Sequence, residues 1–308
     1  MKILDQIIAQ AWESESGGNT TYSQVKLTEV QNAELLKNFV SKSLIMEASR
    51  NITLNKQDMT SVWFSDLLGG TKRKKTKLGT GEFDKFSISK PIKIDWEEPF
   101  CYAEGLPAYA KDNFPATVSQ KLEAFLEQDS KDFERDGFKK LEAVAKANTT
   151  FQPIYVDFNK TNGEELFSKI VTACDAITQL VDKKHGIDFV EPEKIIIFAK
   201  PSVLNKISGY AMKGDHTTAS LKLGSYDIGS LGGYRTLACP YLKDTNVVIT
   251  TTNSMANARK IIAASAGKID NLSADLGAYL ETTSLSEVVK KMIPTALIHR
   301  DSTQEKDA

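Results

Sequence analysis

The clearest hydrophobic pattern in the chain is an alternation. Phe86, Ile88, Lys90, Ile92, Ile94 and Trp96 fall on one parity, and Ser87, Ser89, Pro91, Lys93 and Asp95 on the other. A period of two predicts a long strand with one mainly apolar face. Upstream, Val62, Trp63, Phe64, Leu67 and Leu68 form a second β-prone run. Between the two runs, Gly69, Gly70, Gly79 and Gly81 bracket a tip that carries Lys72, Arg73, Lys74, Lys75 and Lys77 and no acid. The pattern predicts a long antiparallel hairpin with a basic end. Two-stranded ribbons are marginal alone in water, so this hairpin needs a partner surface.

Helical periods flank it. Ile3, Leu4, Ile7, Ile8 and Ala11 make a short amphipathic segment that ends in a polar run with Gly17 and Gly18, as an arm on a joint would; its stripe can dock on its own body, a neighbour or a membrane. Thr28 and Gln31 match a capping box, and the apolar face from Val30 to Leu44 predicts a helix from Glu29 to about Ala48. After the Pro99-to-Pro107 segment, Asp112 or Asn113 can cap a helix with Pro115 in its first turn. Val118, Leu122, Phe125, Leu126, Phe133, Leu141 and Val144 extend it to about Asn148, with Gly137 as a candidate bend. About 33 residues of helix span about 50 Å, longer than a small domain is wide.

From Phe151 onward the pattern is mixed. Leu166, Phe167, Ile170, Val171, Cys174, Ile177, Leu180 and Val181 mark an amphipathic helix stopped by Gly186. Ile195, Ile196, Ile197 and Phe198 read as a buried central strand, with another helix after Pro201. β-prone runs follow at Tyr234–Ala238 and Val247–Thr252, with Gly224, Gly229, Gly232 and Gly233 as turns, and residues 301–308 form a polar tail expected to be disordered.

Composition narrows the class without naming a chemistry. With 41% hydrophobic and 26% charged residues in 308, the chain is globular, which removes the disordered and fibrous classes. A net charge of -1 advertises no global nucleic-acid binder, so any basic function is local. Three isolated cysteines, Cys101, Cys174 and Cys239, fit a reducing compartment rather than a disulfide framework or thiolate metal site. The first residues lack the unbroken apolar region of a signal peptide, and no stretch is long and apolar enough to span a bilayer.

Catalytic motifs fail on spacing. Gly69-Gly70-Thr71-Lys72 is not a P-loop, and Gly79-Thr80-Gly81 lacks the third glycine of a dinucleotide loop and enters a strand. Ser230 in Gly229-Ser230-Leu231-Gly232-Gly233 adjoins the first glycine, which a nucleophile elbow does not allow. His185, His216 and His299 have no paired metal spacing, and Cys174 sits on an apolar stripe, where a thiol is inert. Glu97-Glu98 and Glu164-Glu165 are adjacent acids without a pocket. The expectation is no enzyme, no catalytic residue, no metal and no cofactor.

The basic tip admits three readings: a nucleic-acid contact, a solvated turn, or an interface element. It has no interleaved aromatics and no helix to enter a groove, which weakens the first. Charge complementarity supports the third, because Glu123, Glu127, Asp129, Asp132, Glu134 and Asp136 on the long helix outnumber Lys121, Lys131 and Arg135.

The order of arm, long hairpin, long helix and compact mixed domain resembles the major capsid proteins of tailed bacteriophages, the Hong Kong 97-type fold, an α+β architecture. Phe64 to Trp96 looks like the extended loop of that family and Asn113 to Asn148 like its spine helix. Ile195–Phe198 with Pro201, and Ile228 to Leu242, are similar to the axial-domain strand, helix and glycine turn. The resemblance implies an N-terminal arm and helix over residues 1–60 and an extended loop over 61–98. A peripheral domain with the spine helix over 99–150, an axial domain over 151–284 and a C-terminal return segment with its tail over 285–308 complete it. It further implies a subunit of hexamers and pentamers in an icosahedral shell, placed in the virion and assembled in the host bacterial cytoplasm without a membrane. Packaged double-stranded DNA would be enclosed without sequence-specific contact, alongside a portal. The stretch before the hairpin is too short for the scaffolding region of some members, which implies a separate scaffolding protein or prior cleavage. Lys72, Lys74, Lys75 and Lys77 sit where a cross-linking lysine occurs in some members, but no asparagine or assisting acid matches, so that chemistry is not carried over. The resemblance also fits encapsulins, cellular shells of the same fold, as the runner-up; a nucleic-acid-binding protein acting through the basic loop is the contrasting class.

Overall fold

The computed structural model describes residues 25–26, 43–49, 61–64, 92–105, 114–182, 187–213, 229–268 and 276–300. In chain order these hold β1 (Val25–Lys26), a 3-10 turn (Ile45–Ala48), β2 (Ser61–Phe64), β3 (Ile92–Asp95), β4 (Phe100–Gly105) and α1 (Phe114–Ala147). Then come β5 (Ile154–Val156), α2 (Gly163–Thr178), β6 (Val181–Asp182), β7 (Ile187–Asp188), a second 3-10 turn (Pro192–Lys194), β8 (Ile195–Ala199) and α3 (Pro201–Lys213). The last strands are β9 (Ser230–Leu231), β10 (Tyr234–Ala238), β11 (Val247–Thr251), β12 (Met255–Lys268), β13 (Leu276–Val288) and β14 (Thr295–His299).

β8 organises one half of the subunit. All five of its residues are buried. It lies inside a six-stranded mixed sheet of order β5-β14-β11-β8-β10-β9, parallel to β10 and antiparallel to β11. The pleat sends Ile195, Ile197 and Ala199 into a core with α2 and α3, where Leu166, Ile170, Ile177, Val203, Leu204 and Ile207 wait. Ile196 and Phe198 point the other way, toward Phe138, Leu141 and Ala145 of α1. A strand buried on both faces reads as a continuous apolar run, as this one does. The β9–β10 hairpin turns on Gly232 and Gly233, at φ +60° and +89°. Gly232 is held there twice over, since an added Cβ would lie 2.7 Å from Val171 Cγ2.

The other half is a four-stranded antiparallel sheet of order β1-β12-β13-β4. Helix α1, 34 residues and about 51 Å long at 1.5 Å per residue, packs across β13 and also reaches β14. It therefore belongs to both sheets. Asn148, just past its end, donates to the carbonyls of Met292 and Pro294 and accepts from Thr150 N, which fixes the exit of the chain. Gly137 leaves the helix unbroken; its bare Cα instead admits Ile45, whose Cγ1 would be 2.8 Å from an added Cβ.

Several sequence expectations need correction. The helix expected to run to Ala48 ends, over its described residues, in a 3-10 turn whose amide Ile45 N donates to Glu134 of α1; its earlier part lies outside the described residues, as do the N-terminal arm, the caps at Asp112 and Asn113, and the tail. Helix α2 stops at Thr178 instead of running to Gly186, because Val190 N and Phe189 N fold back onto the carbonyls of Thr178 and Leu180 and form the β6–β7 hairpin. The division at 284/285 cuts through β13, and β12–β13 joins β4 and α1 instead of the six-stranded sheet. That hairpin was not foreseen.

Candidate assembly surfaces

The root of the expected long hairpin is present: β2 pairs antiparallel with β3, Val62 opposite Ile94 and Phe64 opposite Ile92. The predicted parity holds across it. Ile94 is buried, with Ile92 and Trp96, against Ala256, Ala258 and Leu285 on the outer face of the four-stranded sheet, and Lys260 Nζ sits 5.8 Å from the Trp96 ring centroid. The next residue locks the root in place. Glu97 takes an ion pair from Lys140 of α1 and a hydrogen bond from Ser284 Oγ at 3.0 Å, while its own amide donates to Ser284 O and its carbonyl accepts from Thr283 Oγ1. Apolar contact on one side and a part-buried carboxylate on the other fix this root against the sheet. The hairpin's tip, with Lys72, Arg73, Lys74, Lys75 and Lys77, lies outside the described residues.

The acids assigned to the long helix separate into two groups. Asp129 is turned inward: it pairs with Arg259 of β12, whose side chain is 2% exposed, and accepts from Thr282 Oγ1 of β13 at 2.6 Å. Arg259 also lies over the Phe133 ring, 5.4 Å from its centroid. Glu134 is buried and accepts from Ser43 Oγ and from Ile45 N at 3.0 Å, and burial pushes its carboxyl above the usual range. These two carboxylates are committed inside the subunit. Asp132 is half-exposed, accepting from Tyr102 Oη, Gln128 and Arg135; burial, then Asp129 and Asp132, push the Tyr102 hydroxyl up to about 12. Glu123 is partly exposed and Glu127 and Asp136 are exposed. Partial burial and then Glu97 raise the Asp136 carboxyl. The exposed stripe also carries Lys131, Arg135, Lys139 and Lys146, so the acid excess counted along the helix shrinks on its outer face.

Sequence reasoning missed Arg259 and Glu142. Glu142 is buried in α1 and accepts from the amides of Lys243, Asp244 and Thr245 and from Thr245 Oγ1, gathering the β10–β11 loop onto the helix. The inward turn of Asp129 and Glu134, by contrast, could have been placed by period. Asp129 lies four residues from Phe125 and from Phe133, and Glu134 four from Phe138, all on the buried stripe.

The groups weighed for catalysis are built into structure. Ser230 is exposed in the short β9. Burial pushes the Cys174 and Cys239 thiols up to about 12, far from the thiolate a nucleophile needs. His299 Nδ1 accepts from Phe158 N at 3.3 Å; His185 and His216 lie outside the described residues. Among the described residues no group of three or more His, Cys, Asp or Glu is placed to hold a metal ion, and no helix is long and apolar enough to cross a membrane.

No protein-family model matches the chain, and none of the curated proteins is a significant relative. Solved structures do match, end to end. The capsid structure of the cyanophage P-SCSP1u superposes with a TM-score of 0.55 at 10% identity, covering 93% of this chain and 92% of that one. The procapsid of satellite phage P4, solved with its size-determination protein, gives 0.52 at 13% identity over 97% and 98%. The virus-like particle of Pyrococcus furiosus gives 0.52 at 9% identity over 86% and 96%. With TM-scores above 0.5 over most of both chains, the chain has the Hong Kong 97-type capsid fold.

Proposed function

We propose that the chain is the repeating subunit of a closed shell, the major capsid protein of a tailed phage. The observation that carries this is the match over more than nine-tenths of both chains to a cyanophage capsid structure. The subunit's own build supports it: a helix of about 51 Å with an exposed charged stripe presents a surface that a neighbour can cover. In this reading the subunits form hexamers and pentamers of an icosahedral shell, in which small contacts repeated over a lattice sum to a stable assembly. The shell encloses packaged double-stranded DNA in the virion, after assembly in a bacterial cytoplasm with a separate scaffolding protein and a portal. No enzymatic step is assigned to the chain. The basic tip, Lys72 to Lys77, reaches a neighbour's α1 near Glu123, Glu127, Asp132 and Asp136, the carboxylates of that set not buried in the subunit.

Purified protein is expected to show multimeric rings or hollow particles by negative-stain microscopy and light scattering; a compact monomer throughout overturns the reading. Lys72→Glu, Arg73→Glu, Lys74→Glu and Lys75→Glu together are expected to abolish those particles with unchanged helical circular dichroism, and normal particles from that variant refute the tip contact. A cellular shell of the encapsulin kind is compatible with the same fold, though no solved match favours it over a phage capsid. Native particles holding protein cargo in place of DNA decide for it.

A further inference from the structure

Strands β5, β14, β8 and β10 run the same way in the six-stranded sheet, so all of them end at one edge, where β11 begins. A cation follows each strand end. Lys160 comes after β5, Arg300 after β14, Lys200 after β8, and Lys243 in the loop from β10 to β11. Backbone bonds fix the row: Arg300 N donates to Val156 O and Lys200 N to Asn246 O, while Lys200 Nζ donates to Lys243 O at 3.1 Å. Lys146 reaches the same loop from α1. Two carboxylates stand in the row and both are engaged, Asp157 with Lys160 and Asp244 with Lys146. Lys146, then Lys243 and Lys200, hold the Asp244 carboxyl below its ordinary value, so one acid serves three ammonium groups. Among the described residues, Lys200, Lys243 and Arg300 have no carboxylate partner. The opposite end of the sheet has the other sign: the segment leading into β8 carries Asp188, Glu191 and Glu193 against Lys194.

The dimensions of the row select a partner. Adjacent strands lie about 4.8 Å apart, so four steps from β5 to β10 span about 19 Å. One strand of a DNA duplex sets down a phosphate about every 3.4 Å along the axis, and about five pass over such a row. Exposed Asn159 and Ser202 flank the cations, which leaves the surface polar and positive, as protein–DNA interfaces are. A protein partner would instead call for a core depleted of charge. The net charge of -1 over the whole chain conceals this edge, because the compensating acids lie elsewhere.

We propose that this edge of the six-stranded sheet is where the subunit meets the phosphate backbone of double-stranded DNA. Lys200, Lys243 and Arg300 neutralise phosphates, and Lys146 and Lys160 can exchange their surface carboxylates for them, since exposed pairs are weak. Such contacts position the duplex and read no sequence. The inference rests on the shell reading above and deepens it, by naming the surface that faces the enclosed DNA.

Anisotropy of a labelled duplex of about 30 base pairs and mixed sequence, titrated with free subunits, tests it. Three neutralised phosphates give a salt slope of about -2.7, so wild-type affinity should fall about 40-fold between 50 and 200 mM salt. The triple variant Lys200→Gln, Lys243→Gln and Arg300→Gln is expected to lose at least about tenfold in affinity at the lower salt and most of that slope, with its thermal midpoint and particles unchanged. Lys243→Gln alone, at an exposed side chain, should lessen the slope by about 0.9. A wild type that ignores the duplex, or a triple variant that binds as the wild type does, overturns the inference. Equal competition by polyglutamate at matched charge overturns it in favour of an acidic protein partner. Sealed particles should bind added duplex less per subunit than free subunits do, and equal binding overturns the inward placement. If the wild type forms no particles, the shell reading fails and takes the enclosed-DNA assignment with it; intact particles with an unaffected triple variant sink the inference alone.

Discussion

Asp129→Asn is the most informative single change inside the subunit. Arg259 has only 2% of its side chain exposed, Asp129 only 13%, and Thr282 Oγ1 donates to the same carboxylate. Removing the carboxylate charge leaves the guanidinium between β12 and α1 without its paired carboxylate, with the charge of Glu134 still acting on it, and breaking a buried pair from one side costs about 3–5 kcal/mol. The Phe133 ring still faces the guanidinium, but a cation–π contact returns only about 0.5–2 kcal/mol and is present in both proteins, so it does not offset the loss. With a urea m-value of about 3 kcal/mol/M, the midpoint should fall by about 1–1.7 M. Trp96, packed on the opposite face of the same sheet, supplies a fluorescence probe, and circular dichroism at helical wavelengths supplies a second. The double variant Asp129→Leu with Arg259→Met should recover most of the loss, because apolar replacement of a whole buried pair is often neutral or stabilising by about 1–4 kcal/mol. A loss below about 1 kcal/mol for Asp129→Asn, the range of exposed pairs, would refute the view that this pair is desolvated and pins the helix to the sheet.

Two further outcomes follow from the same interior. The Glu134 carboxyl is raised by burial, so the stability it contributes is fully present below its unfolded pKa and is lost as pH rises through its higher folded pKa; Glu134→Gln should lessen the decline in urea midpoint between mildly acidic and neutral pH, and an unchanged pH profile would count against that cause. Gly232→Ala should destabilise by about 1–2 kcal/mol from the left-handed backbone alone, with Val171 adding to it, whereas alanine at exposed Gly229, where an added Cβ meets nothing within 4 Å, should change the thermal midpoint little.

The parts of the fold that could be read from the sequence are those with one buried face or none exposed. β3 alternates because only its inner side meets Ala256, Ala258 and Leu285. β8 is apolar throughout because α1 and α2 cover it from opposite sides. The β12–β13 hairpin escaped for a physical reason: it too is covered on both faces, but partly by polar groups. Asn257 and Arg259 are buried beside α1 and the 3-10 turn, while Ala256 and Ala258 are buried beneath the hairpin root. Asn257 donates to Ile45 O and accepts from Ser286 Oγ, so a polar residue occupies a core position with its hydrogen bonds satisfied. Hydrophobic period carries no trace of such a strand. The same limit misled the charge count on α1, where the sum over the helix ignored which acids lie on its buried stripe.

Helix α1 is attached differently to the two sheets. Toward its N-terminus, directional groups reach the four-stranded sheet: Lys121 to Glu104, Tyr102 to Asp132, and Asp129 to Arg259 and Thr282. Toward its C-terminus, Phe138, Leu141 and Ala145 press on Ile196, Phe198 and Val248, while Glu142 and Lys146 hold the β10–β11 loop and Asn148, past the last turn, holds the carbonyls of Met292 and Pro294. Apolar packing tolerates small shifts of a helix over a sheet, whereas a buried ion pair has to be broken for its partners to slide. The hairpin root is joined to α1 and β13 through Glu97, Lys140 and Ser284. A shift of the six-stranded sheet over α1 repacks apolar contacts there, whereas a shift of the four-stranded sheet over the same helix breaks the Asp129–Arg259 pair.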